Sequence, residues 1–118
     1  MAPGQGRKIA VLGVCTSGKS TLVSNLRQRG YDAFSVPQEH SYIARLWKAH
    51  NPDFLVVLDC SYPTAASRRQ VSWGPERLLD QRERLKVAMA ECDLYIPTDD
   101  YSPEEVTEMV IRAVEHHD

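Results

Sequence analysis

The sequence lacks any apolar run of the length needed to cross a bilayer, and its opening residues, MAPGQGRK, contain no apolar core of a secretion signal. Both absences point to a soluble protein of the cytoplasm, without membrane contact. Cysteine is scarce. Cys15, Cys60 and Cys92 are odd in number, widely spaced and set beside apolar sequence, which argues against a disulfide framework or a metal cluster and fits a reducing compartment. Positive charge is not in excess either: 14 Lys and Arg against 16 Asp and Glu leave a net charge of −2, so no overall basic field recruits nucleic acid. Internal repeats, low-complexity tracts and interdomain linkers are also missing. A chain of 118 residues then has room for one domain, residues 7–118, behind a flexible lead-in at 1–6.

What is present is a regular alternation of apolar patterns. Residues 9–14 and 54–58 (FLVVL) are continuous apolar runs, the signature of strands covered on both faces. Residues 31–36, closed by Pro37, and 94–96 give two shorter strands. Leu22, Val23 and Leu26 recur at helical spacing and Gly30 suits a left-handed helix end, so a first helix spans roughly 18–29. Between 38 and 52, Ile43, Leu46 and Trp47 share one helical face, which predicts a short crossover helix. Pro75 and Glu76 open a long helix with Leu78, Leu85, Met89 and Cys92 inward and Arg77, Arg82, Arg84 and Lys86 on solvated flanks. Ser102 with Glu105 forms a capping box for a closing amphipathic helix. Strand and helix alternate throughout, which predicts a three-layer α/β/α sandwich around a small, mostly parallel sheet of four to five strands.

Gly13, Val14, Cys15, Thr16, Ser17, Gly18, Lys19 and Ser20 satisfy GxxxxGK[ST] between a buried strand and a helix start, the context a phosphate-binding loop requires. Glycines permit a concave nest of backbone N–H groups around phosphate oxygens, reinforced by the positive end of the helix. Lys19 then neutralises the terminal phosphates, the Ser20 hydroxyl ligates Mg²⁺, and Thr21 touches an inner phosphate. Cys15, at the mouth of that helix, is either a thiol of depressed pKa or a small filler of a variable loop position, the plainer reading.

Phosphoryl transfer needs an acid near the metal and a cation over the developing charge. Two acids stand at carboxyl ends of strands, where open α/β sheets place their ligands: Glu39 and Asp59. Either can hold Mg²⁺ through water or orient an attacking oxygen. Asp59 serves equally well as a strand-end residue capping a turn, and Glu39 as a solvated loop carboxylate; His40 reads as an ordinary polar neighbour. Arg68 and Arg69 stand where a lid closes on the phosphates, and Arg45 is a weaker choice. Trp47 reads as core, while Trp73 suits either core or a dimer contact.

These motifs give the chain a resemblance to the P-loop kinases of the nucleoside and nucleotide group. "GVCTSGKST" is similar to their phosphate loop, "NPDFLVVLDCS" to their strand ending in Leu-Asp, "AASRRQ" to their lid, and "DLYIPTDDYSPEEV" to their closing strand and helix. The resemblance covers residues 7–117 and implies a P-loop NTPase fold, ATP and Mg²⁺ as cofactors, and a small-molecule or nucleotide acceptor. It also implies that adenine packs between the lid arginines and residues 97–100. In those kinases an acceptor-binding insert and a further strand with a catalytic Asp-Arg pair follow the second strand; here residues 38–52 replace both, so Asp59 does not inherit that role by position. If the missing strand is deleted outright, strand two pairs with strand one and brings Glu39 towards the metal. Guanine-specific signatures are absent, which disfavours a GTPase switch.

Two functions follow as expectations. One is a small ATP-dependent phosphotransferase, with Lys19, Glu39, Asp59, Arg68 and Arg69 as its candidate catalytic residues and Ser20, Glu39 and Asp59 around the metal. Its acceptor would enter beside Glu39 or in a pocket completed by a dimer partner; the other is a nucleotide-binding or regulatory module that has lost the acceptor site, with at most slow hydrolysis.

Overall fold

The computed structural model describes residues 7–14, 17–68 and 74–116; the lead-in at 1–6, Cys15, Thr16, Arg69 and Trp73 lie outside the described residues. Its elements are β1 (Lys8–Gly13), α1 (Lys19–Gln28), β2 (Asp32–Ser35), β3 (Phe54–Asp59), α2 (Tyr62–Arg68), α3 (Pro75–Glu91), β4 (Leu94–Pro97) and α4 (Pro103–Glu115). The sheet runs β2-β1-β3-β4, and all three pairings are parallel. The chain is therefore an α/β domain on a small four-stranded parallel sheet, and β2 does lie directly beside β1.

The burial of each strand follows from its place. β1 from Ile9 onward and all of β3 are buried, as central strands must be when helices cover both faces, whereas β2 and β4 keep polar or exposed residues at the two edges. Side chains alternate across the sheet. Ile9, Val11, Val56 and Leu58 join Leu22 and Leu26 of α1 and Val106, Val110 and Val114 of α4 in one core. Ala10, Leu12, Leu55 and Val57 join Trp47, Leu78, Leu85 and Ala88 in the other. Each large aliphatic side chain so buried stabilises the fold by about 1.5–3 kcal/mol relative to exposure.

The helix ends are those that the sequence prescribes. Gly18 (φ 102°) caps α1 at its start, Gly30 (φ 93°) follows its end, and Ser102 and Glu105 bond each other's backbone N–H groups at the start of α4. One expectation fails. Residues 38–52 form no crossover helix but two 3₁₀ turns, Gln38–His40 and Leu46–His50, with Ile43 63% exposed while Trp47 is core. The first turn ends at Ser41, which is extended, and the second at Asn51, which is left-handed (φ 49°), so no helix runs through the segment. α3 turns Leu78 and Leu85 inward together with the buried Gln81, and Met89 and Cys92 pack against the same core half-buried, Cys92 just beyond the helix end at Glu91. Among the described residues no helix is long and apolar enough to cross a membrane.

Candidate functional site

The chain leaves β1 for β2 on one side and reaches β3 on the other, so a crevice opens at the carboxyl ends of β1 and β3. Gly13 ends β1 there. A Cβ at this position would meet the Leu58 carbonyl oxygen at 2.5 Å and Ser17 Oγ at 2.7 Å, so β3 and the loop tolerate no side chain. Ser17, almost fully buried, donates its N–H to the Val14 carbonyl (3.3 Å), while its hydroxyl has no partner among the described residues. α1 then starts with no side-chain cap and no acidic residue in its first turn. Its opening N–H groups and the positive end of its dipole are left available to an anion.

Lys19, the first residue of α1, folds back over this loop. Its ammonium donates to the Gly13 carbonyl (2.7 Å) and pairs with the carboxylate of Glu39. Glu39 is 4% exposed, and its second oxygen, Oε1, is buried with no partner among the described residues. The solvated loop carboxylate that the sequence allowed is thus replaced by a buried one facing the loop's lysine. His40 stays exposed, with Nε2 3.7 Å from the same carboxylate.

Two residues that the sequence did not connect with Glu39 hold it in place. Gln38 is fully buried and staples the segment, donating to the Ile43 carbonyl (2.6 Å) and accepting from the Leu46 N–H (3.0 Å). Arg84, read from α3 periodicity as a solvated flank, is instead half-buried. It donates to the Glu39 carbonyl (3.2 Å) and to the Tyr42 hydroxyl (2.8 Å), lies over the Tyr42 ring at 4.5 Å, and pairs with Asp80 (3.0 Å). Long-range partners of this kind leave no trace in a helical repeat.

Asp59, at the end of β3, is engaged on both oxygens. Oδ1 accepts the Cys60 N–H (2.8 Å), Arg82 Nε approaches both oxygens (3.1 and 3.2 Å), and Tyr95 donates its hydroxyl to Oδ2 (2.7 Å). Arg82 is therefore also an anchor rather than a solvated flank. Burial, and then the bond to Asp59, push the Tyr95 phenol up to about 12. These are the contacts of a turn-capping strand end, the alternative the sequence left open.

Arg68 ends α2 and reaches the loop after β4, donating to the Thr98 hydroxyl (3.0 Å) and carbonyl (2.7 Å). The Thr98 hydroxyl lies within bonding distance of the Ser17 (3.0 Å) and Asp59 (3.1 Å) carbonyls, so one buried side chain ties that loop to the glycine loop and to β3. Asp99 accepts the Ser61 N–H and hydroxyl (both 2.9 Å) and is held below the usual carboxylate range, chiefly by the Thr64 hydroxyl and then by the Ser61 backbone. Between Gly18, Thr21 and Leu22 on one side and Arg68, Thr98 and Tyr101 on the other lies a cleft of about 340 Å³. Arg45 is taken up by Glu91 (2.6 Å).

The fold thus gathers Gly13, Gly18, Lys19, Ser20, Thr21 and Glu39 at one end of α1, with Arg68 across the adjoining cleft. It places Asp59 in a separate ion pair. Among the described residues no three His, Cys, Asp or Glu side chains converge on a metal site, so a cation here would need ligands from a bound anion as well as from Ser20 and Glu39. No protein-family model matches the chain, and no curated protein matches it.

Proposed function

We propose that the chain is a P-loop protein that binds Mg·ATP and transfers its terminal phosphoryl group to a small molecule. The observation that carries this reading is the position of Lys19. Its ammonium is folded onto a glycine loop with an open helix N-terminus behind it, and it faces a buried carboxylate that has one oxygen unpartnered. That is a ready site for phosphate oxygens on the loop and a cation beside Glu39. Loop residues 13–21 would hold the phosphates, and Ser20 with Glu39 the Mg²⁺. The cleft between Thr21 and Arg68 is of the size of small-ligand sites and suits the base.

Bound Mg·ATP supplies the phosphoryl group and the charge that offsets it. Lys19 exchanges Glu39 for phosphate oxygens and stabilises the charge that develops on them. Glu39, released from the lysine, turns to the cation or accepts a proton from the attacking hydroxyl. Arg68, tied to Thr98 at the rim of the cleft, is the cation that closure of the cleft would bring towards the phosphates.

A nucleotide-binding module with slow hydrolysis is the second reading. It is favoured by the compact segment between Gln38 and His50, which packs on itself and on α3 and leaves no insert for an acceptor. Thermal denaturation with Mg·ATP tests the common premise. A raised Tm that disappears in Lys19→Ala supports it, and an equal rise in the variant overturns it. ADP release that depends on an added acceptor separates the phosphotransferase from the module.

A further inference from the structure

Two clefts flank α1. Thr21 and Leu22 face the one bordered by Arg68. Ser20, Val23, Ser24, Arg27 and Gln28 face a second, of about 520 Å³, reached also by Ser35 at the end of β2. Helical periodicity makes the division, since positions 20, 24, 27 and 28 recur at spacings of three and four on one side of the helix. β2 is the outer strand here, so among the described residues no further strand covers the groove.

Arg27 is the charged group of this groove. Its Nε donates to the Ala33 carbonyl at 2.8 Å, which fixes the guanidinium against β2 and leaves the terminal nitrogens as donors. No carboxylate among the described residues pairs with it. The rest of the lining is three hydroxyls, an amide and the Val23 side chain, without an acid. A fixed, unpaired guanidinium attracts a phosphate or carboxylate, and hydroxyls and an amide recognise hydroxyl groups. The step from position 20 to 27 spans about 10 Å of helix.

We infer that this groove binds a small polyol bearing a phosphate or carboxylate, with the anionic group on Arg27 and a hydroxyl directed towards Ser20. The inference rests on the nucleotide reading of residues 13–21. On that reading the groove lies across α1 from the base cleft, the phosphoryl group lies between them, and the groove's occupant is the acceptor. Its hydroxyl oxygen bonds to the γ-phosphorus as the bond from that phosphorus to the bridging oxygen breaks. ADP leaves, and the hydroxyl proton passes to Glu39 and then to solvent.

Nitrogen-15 NMR titration with ribose 5-phosphate, alongside inorganic phosphate, tests the groove directly. Ribose 5-phosphate is expected to shift the Ser20, Ser24, Arg27 and Ser35 amides saturably and more tightly than inorganic phosphate. Arg27→Gln removes the charge, Arg27→Lys restores it, and Ser24→Glu sets a carboxylate one turn from Arg27 without touching the core. Arg27→Gln and Ser24→Glu should each weaken binding at least tenfold, and Arg27→Lys less. Shifts confined to residues 13–21, equal affinity in Arg27→Gln and Ser24→Glu, or no saturable shift up to about 10 mM would overturn the inference. The Mg·ATP effect on Tm, read on the same samples, keeps the two failures apart: lost sugar-phosphate binding with a retained nucleotide effect is a failure of the groove alone.

Discussion

Lys19 and Glu39 form a closed pair at the mouth of the glycine loop, the lysine bonded at once to the Glu39 carboxylate and to the Gly13 carbonyl. On the proposed reading, Glu39 holds the place on Lys19 that a phosphate would take. Lys19→Ala removes the ammonium paired with a carboxylate that is 4% exposed, and leaving such an acceptor unsatisfied costs about 1–3 kcal/mol. Glu39→Gln in the Lys19→Ala background should recover part of that loss. Urea denaturation of the two single variants and the double variant measures the coupling, and strict additivity would contradict the pair.

The two loop glycines should fail differently. At Gly18 a Cβ meets nothing within 4 Å, so Gly18→Ala carries only the strain of φ 102°, about 1–2 kcal/mol. At Gly13 the same methyl collides with Leu58 and Ser17, and the loop or β3 must shift. Gly13→Ala is expected to destabilise by about 1–3 kcal/mol and to lose the effect of Mg·ATP on Tm as well. A Gly13→Ala protein that keeps both would refute the close approach.

Tyr95 gives the fold a pH dependence at the alkaline end. Its phenol titrates near 10.0 in the unfolded chain and at about 12 in the folded one, because burial and then the Asp59 carboxylate disfavour the phenolate. A raised folded value means stability that is complete below pH 10 and is lost as pH climbs from 10 towards 12. Tyr95→Phe should flatten that slope, and the wild-type phenolate absorbance should rise late. A midpoint at the ordinary tyrosine value would show that the bond to Asp59 is not held in solution.

Gln38→Ala tests whether one buried amide organises the approach to the site. Its loss frees the Ile43 carbonyl and the Leu46 N–H, at about 1–3 kcal/mol, and loosens the segment that carries Glu39. Faster hydrogen exchange at residues 38–46, with the β1 and β3 amides unchanged, is the expected pattern. Exchange that rises uniformly across the sheet would point to global destabilisation instead.

Local physics made much of this protein legible in advance. Continuous apolar runs identified β1 and β3 because only strands covered on both faces can be apolar throughout. Gly18, Gly30, Ser102 and Glu105 marked helix ends because each answers a backbone requirement within a few residues of itself. The glycine-lysine loop was readable for the same reason.

Contacts that join distant parts of the chain were beyond the sequence. Glu39 and Asp59 looked alike, two carboxylates at strand ends, yet parallel pairing of β2 with β1 turned one towards Lys19, and α3 with β4 closed Arg82 and Tyr95 over the other. Arg84 became a support of Glu39 only when α3 packed against the segment after β2. Hydrophobic periodicity says which face of an element is buried. The partner that a polar group meets there is fixed by the packing of elements far apart in the sequence, so tertiary structure alone decided which acid faces the loop.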